Sequence, residues 1–429
     1  MTIELLQQVR LLDPIAMVDR VVDVVIGDGV ILAIEPQIGE IQVSAPQISE
    51  SPPDVQIYDS PGLVLGSGLV DLYSHSGEPG FEDRETLESL VQAAIAGGFT
   101  RLNVLPDTNP AIDNPATVSW FQAQTSKSKI QPKLTCWGAL TLQVKGQQMV
   151  EFSELASGVV GFADGQPIAN LALVRRLLEY LQPMQKPIAL WACDRSLVGN
   201  GVMREGVESV RFGLPGDSAM SETTALSALL ECVEEIGTPV HLMRISTARS
   251  VELIRAAKAR GLPITASVTW MHLLLNTKSI EHYDPNLRLE PPLGNQVDQV
   301  ALLQAVLDGI IDAIAIDHTP YTYEEKTVAF SEAPPGAIGL ELALPLLWQS
   351  LVVTQQWSAL ELWRSLSNRP AACLGQKIDA IAPGQPAELT LFDPKSQWIV
   401  NGQSLKSRSL NTPWLGKPLI GRVIRTWCP

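Results

Sequence analysis

The chain has 429 residues, 45% of them hydrophobic, and a formal net charge of −15. That acidity argues against a nucleic-acid binder, and no apolar run approaches the roughly 18–20 residues of a membrane span. The N-terminal "MTIELLQQVRLLDP" carries Glu4 and no cleavable signal pattern, and five scattered cysteines without a CxxC read as reduced thiols in a cytoplasmic protein.

Residues 1–60 hold short β-like runs, "VVDVVIGDGVILAI" and "DVQIYDS", broken by Gly and Pro. The intervening "QIGEIQVSAPQISESPPD", rich in Ser and Pro, reads as a loop. From 63 onward, apolar β-branched runs recur near 63–73, 100–106, 133–140, 158–163, 187–193, 239–245, 263–269 and 312–317. Helical stretches such as "RETLESLVQAAIAGG" and "TARSVELIRAAKARG" separate most of them, the second closing on Lys, Arg and Gly as helix ends do. The tail, with "AELTLFDP", "QWIV" and "GRVIRTW", returns to the character of the N-terminal runs. The pattern predicts an α/β fold: a (β/α)8 TIM barrel over residues 63–375, with a small β domain formed jointly by 1–62 and 376–429. An open doubly wound sheet is the alternative, and no GxGxxG follows any strand to support it.

In a barrel, function gathers where the strands end. Strand one ends in "GLVDLYSHSGEPG". Two histidines one residue apart would share a strand face and form half of a metal site, but here the first position is Tyr73 and only the second is His75. The other strand ends contribute Asp107, Asp164, Trp191 with Cys193 and Asp194, Arg244 with Ser246, and Asp317 with His318. Cys193 lacks a positioned base and reads as an inert thiol; His241, His272 and His282 read as structural, and His318 as a supporting hydrogen-bond partner.

Taken in order, "GLVDLYSHSGEPGFEDRETLESLVQAAIAGGFT", "LPDTNPAIDNP", "GVMREG", "VHLMRISTARSVELIRAAKARGLPITASVTWMHLLL", "DAIAIDHTPY" and "PGQPAELTLFDP" resemble the dihydroorotases of the amidohydrolase superfamily nearly end to end. The resemblance implies a metal-dependent amidohydrolase barrel with a β-sandwich domain built from both termini. It also implies an activity, the reversible cyclisation of carbamoyl aspartate to dihydroorotate in pyrimidine synthesis. Carried over residue by residue, the family's metal-ligand positions fall on Tyr73, His75, Asp164, Trp191, Arg244 and Asp317. Its substrate positions fall on Gly77, Asp107, Glu290 and Tyr321, which together remove positive charge where an anionic substrate would dock.

A catalytic zinc needs about three protein ligands. Trp191 can only donate, and the Arg244 guanidinium stays protonated and would repel a divalent cation. No cofactor is therefore expected. Arg244 is instead expected to pair with Asp317, the one intact match to a catalytic residue, while Trp191 and Tyr73 fill space; His75 reads as a hydrogen-bonded pocket residue. The resemblance extends to chains that have lost these histidines and serve as structural partners of aspartate transcarbamoylase. It thus points to a catalytically silent assembly partner of that enzyme's catalytic chain, itself a homo-oligomer. The competing expectation is an active dihydroorotase or another cyclic-amide hydrolase with an altered, zinc-holding site.

Overall fold

The computed structural model describes residues 2–38, 54–125 and 132–428; most of the segment read as a Ser/Pro loop, residues 39–53, lies outside them. Both ends of the chain meet in one seven-stranded sheet. Strands β1 (Thr2–Asp13), β2 (Val18–Gly27) and β3 (Val30–Glu35) form an antiparallel meander, and β4 (Asp54–Asp59) lies parallel to β1. β5 (Val64–Ser67) joins the two termini: it runs parallel to β1 through Leu11↔Leu65 and antiparallel to the C-terminal strand through Leu65↔Leu391. Its apolar run sits next to barrel strand one, and the terminal sheet takes it, so the chain enters the barrel only after residue 67.

The barrel strands are short and parallel. One arc is β6 (Leu69–Val70), β7 (Phe99–Val104) and β8 (Lys133–Cys136). β9 (Ala189–Trp191) follows, and after it a small pair, β10 (Met203–Arg204) with β11 (Gly216–Asp217), stands outside the barrel wall. The second arc is completed by β12 (Val240–Met243), β13 (Ile264–Thr269) and β14 (Ala313–Ala315), in the order β14-β13-β12-β9. The run at 158–163 contributes single bridges rather than a strand: Phe162 pairs with Gly138 on one side and Ile188 on the other, joining the two arcs. On the far side the circle closes as Asp317 donates its backbone N–H to Tyr73 O at 3.1 Å and His75 donates to His318 O at 2.8 Å. Asp71 reinforces this seam by accepting Ile316 N–H at 2.9 Å and the Ser74 hydroxyl at 2.5 Å, and burial raises its pKa to about 7. The C-terminal strands β15 (Leu389–Ile399) and β16 (Pro418–Trp427) then return to the terminal sheet. No helix among the described residues is long and apolar enough to cross a membrane.

Helices pack around the barrel through continuous apolar contacts, as the alternation of the sequence requires. Helix α1 (Leu87–Gly97) shows the local logic: Thr86 accepts Ser89 N–H at its start, and Gly98 ends it at φ 88°, a left-handed turn that glycine adopts without strain. Trp363, on the helix Ala359–Leu366, ties β5 to the barrel's helical layer. Its indole N–H donates to Ser67 O at 2.8 Å, and a Cβ on Gly66 would stand only 2.3 Å from its ring. Trp363→Ala is expected to cost about 3–5 kcal/mol, read as a lower midpoint in urea unfolding, because it opens a cavity and orphans a carbonyl together.

Candidate functional site

At the C-terminal end of the barrel, Arg244 follows β12 and Asp317 follows β14. Both backbones are left-handed, with φ of 56° and 53°, a conformation that strains any residue with a side chain. Their side chains meet in a two-pronged ion pair: Arg244 Nε donates to Asp317 Oδ2 at 2.8 Å and Nη2 to Oδ1 at 2.7 Å. Nη1 donates to Gly165 O at 2.7 Å, so the guanidinium is anchored on three sides of the barrel. The guanidinium carbon also lies 4.9 Å from the Trp191 ring centre and 5.7 Å from that of Tyr73. The pairing and the filling roles expected from the sequence are both present.

His75 extends the cluster. Its Nδ1 lies 2.7 Å from Asp107 Oδ2, and its Nε2 lies 3.0 Å from Arg244 Nη2 and 3.6 Å from Asp317 Oδ1. Burial alone would lower the His75 pKa, but the two carboxylates outweigh it and raise the value from 6.5 to about 9. The short contact to Arg244 opposes that rise, since a neutral ring accepts there and a protonated ring cannot. For Asp317, burial is outweighed by Arg244 and His75, which hold the carboxyl well below its usual range. For Asp107 likewise, burial is outweighed by His75 and Arg244 and the carboxyl is held low.

The other sequence candidates go elsewhere. Asp164 is not in the cluster: its carboxylate accepts Leu140 N–H at 2.7 Å, Thr141 N–H at 3.0 Å and the Thr141 hydroxyl at 2.5 Å, clamping a turn, and burial raises it to about 6. Tyr73 turns its hydroxyl into the barrel, accepting Arg244 N–H at 3.2 Å and sharing a proton with Ser267 Oγ at 2.9 Å. His241 continues that chain at 2.9 Å from both Ser267 and Thr265, beneath the site rather than in it. Gly77 has no room for a side chain, because a Cβ would stand 2.3–2.6 Å from backbone atoms of Phe81 and Glu85. Glu290 is taken by Arg195 at 2.9 Å, and Tyr321 lies 4.8 Å from the Arg84 guanidinium. His318 supports the seam through Gly339 N–H at 3.1 Å and Glu85 at 3.4 Å. His272 lines the cavity wall and bonds Thr269 at 2.7 Å, while His282 is exposed. Burial pushes the Cys193 thiol up to about 12, which leaves it unreactive.

Sequence reasoning missed the groups that neutralise the rim. Arg84, on the loop after strand one, bonds Glu325 through two nitrogens and lies 4.5 Å from the Phe81 ring. It also missed Asp71, although an acid inside the apolar run "GLVDLY" was a visible signal of a buried structural carboxylate. Above the ion pair lies a cavity of about 120 Å³ lined by His75, Asp107, Trp191, Arg244, Asp317 and Tyr321, among others.

These residues do not fit the zinc that the fold suggests. Among the described residues no three His, Cys, Asp or Glu side chains gather around one point. Arg244 holds a permanent cation on both oxygens of Asp317, and Trp191 offers only a donor. Two variants probe the cluster. Asp317→Ala leaves Arg244 buried and unpaired and is expected to cost about 3–5 kcal/mol in urea unfolding. A raised His75 pKa contributes stability that is full below pH 6.5 and lost as pH rises through about 9. Wild type should therefore lose up to about 3 kcal/mol more than His75→Gln over that rise; equal slopes would show that the ring stays neutral.

Comparison with known proteins agrees with this fold. A family profile described as Dihydro-orotase-like matches residues 62–250. A Synechocystis sp. protein named "Probable dihydroorotase-like protein" is 44% identical, covering 97% of this chain and 98% of that one. A protein named Dihydroorotase from Pelobacter propionicus is 35% identical over 98% of this chain and 97% of its own length. Among solved structures, the L-hydantoinase (dihydropyrimidinase) from Arthrobacter aurescens superposes with a TM-score of 0.81 over 100% of this chain and 97% of that one, at 18% identity, a likeness of fold. Similarity of this extent, on a barrel with this terminal sheet, makes the chain a member of the dihydroorotase-like family of the amidohydrolase superfamily.

Proposed function

We propose that this chain is a catalytically inactive, cytoplasmic dihydroorotase-like protein of pyrimidine biosynthesis. In this reading it is a homo-oligomer that serves as structural and assembly partner of the aspartate transcarbamoylase catalytic chain. The observation that carries the reading is the two-pronged Arg244–Asp317 ion pair. Asp317 is the one intact match to the family's catalytic residue, and a carboxylate held below its usual range by a paired guanidinium is a poor base. The same guanidinium repels a divalent ion from the position where the reaction would need several kcal/mol of charge stabilisation. What the chain keeps is the scaffold: the barrel, its closing seam and the sheet of both termini.

An active hydrolase is the second reading. It is favoured by the 34–36% identity to several chains named Dihydroorotase and by the ionised state of Asp317. Rates decide between the two. Purified from a host lacking any dihydroorotase, the protein is expected to hydrolyse no dihydroorotate with or without added zinc, and to carry well under one zinc per chain. Turnover that disappears in Asp317→Ala, or one zinc per chain, would overturn the proposal. Co-elution with aspartate transcarbamoylase of the same organism is expected on size exclusion, and independent elution of the two would remove the assembly role.

A further inference from the structure

Between β10 and β11, outside the barrel wall, runs a short helix, Val207–Phe212. Its inner side is fixed. Ser209 is buried, and its hydroxyl accepts Gly206 N–H at 3.0 Å and donates to Gly206 O at 2.9 Å. Phe212 packs edge-on against Tyr283, with ring centres 6.1 Å apart, and the Tyr283 hydroxyl donates to Phe212 O at 2.8 Å. The outer side is bare. Val207 is 79% exposed and Val210 83%, and no other large apolar side chain among the described residues is more exposed. A single exposed valine is ordinary, but these two stand one turn apart on one helix. Glu208 and Arg211 also stand one turn apart, and among the described residues neither has an ion-pair partner. At the same spacing, Arg249–Glu252 and Arg364–Glu361 are closed ion pairs at 2.7 and 3.1 Å.

We propose that this helix is a two-fold contact between copies of the chain. At about 100° per residue and with Ser209 inward, Val207 and Arg211 point outward, Val210 lies on one flank and Glu208 on the other. A half-turn about an axis perpendicular to the helix lays it antiparallel on its own copy. That sets Glu208 opposite Arg211 of the second copy, and Arg211 opposite its Glu208, while the valines close on each other along the other flank. The surface is thus complementary to itself in charge and in apolarity, as a two-fold interface requires. Charge also favours a second copy over a different protein. The chain carries −15, so two copies repel overall, and their contact has to supply a cation to each acid across it. A basic partner would meet Arg211 and an acidic one Glu208, each as a repulsive group. The fixed mounting of the helix lowers the ordering cost of docking. A helix pair of this length covers less than the ~1,200 Å² of a standard interface, so the association is expected to be weak. The inference rests on the reading of the chain as a homo-oligomer, and it names the face and its symmetry.

Exchanging the charges tests it, read by sedimentation velocity of the full-length protein over a range of micromolar concentrations. Wild type is expected to associate as concentration rises. Glu208→Arg and Arg211→Glu each place like charges across the axis twice, and each is expected to weaken association about tenfold or more. Mixed in equal amounts, the two variants are expected to recover it, because one chain then brings two cations to the other's two acids. The chain carrying both changes restores both pairs and is expected to associate as wild type does. Undiminished association in the single variants, or loss that neither mixing nor the double change recovers, would overturn the proposal. So would a Val210→Asp chain that keeps its self-association and loses co-elution with aspartate transcarbamoylase, which assigns the face to that enzyme. A monomeric wild type removes this inference and the homo-oligomer reading together, whereas an oligomer indifferent to all these changes removes the inference alone.

Discussion

The ion pair between Arg244 and Asp317 organises the end of the barrel. It bridges the strands β12 and β14 across the mouth, and its remaining arm reaches Gly165 at the end of the fourth strand position. Two left-handed backbones, at Arg244 and Asp317, are held in place by it. A buried guanidinium and a buried carboxylate are each costly alone, and they are tolerated here only as a pair with every arm engaged. Trp191, Tyr73 and His75 are arranged around that pair, and Asp107 around His75. A divalent metal would do the same electrostatic work from one point; here a fixed side-chain charge does it from the strand itself.

Below the pair, the interior of the barrel is a mixture of packing and hydrogen bonding. The chain from Arg244 N–H through Tyr73, Ser267 and His241 to Thr265 carries polar groups down into a core lined by Val70, Leu72, Trp137 and Met243. Each member has a partner, which is the condition for burying such groups. Burial lowers the His241 pKa to about 3, so the chain stays uncharged and adds no net charge to the site above it. The seam between strands one and eight is equally polar, through Asp71, Ser74 and His318.

Much of this was legible in the sequence because periodicity reports burial. The alternation of β-branched runs with helical stretches located the barrel, and the strand ends located Tyr73, His75, Asp107, Trp191, Arg244 and Asp317 in one cluster. The pairing of Arg244 with Asp317 followed from opposite charges at two positions that the resemblance places in one site. What was not legible depended on backbone register and loop path. Phe162 only bridges its neighbours, and that one-residue strand leaves Asp164 turned toward Thr141 instead of the site. Val64–Ser67 has the composition of a barrel strand but pairs with both termini, a choice made by long-range partners. Arg84 and Arg195 reach the rim across large sequence distances, from loops whose paths no local pattern specifies.

Gly77 bears on what the site can accommodate. The loop from 77 to 85 has closed on itself, with Phe81 N–H donating to Gly77 O at 2.5 Å, and no Cβ fits at that position. An arginine there would require the loop backbone to move before the side chain could be placed. The constraint at this position is therefore written into main-chain geometry, which a side-chain substitution alone does not undo. Histidines placed at Tyr73, Trp191 and Arg244 would leave that loop closed as it stands. Placing a side-chain cation in this loop is therefore a problem of backbone design before it is one of side-chain choice.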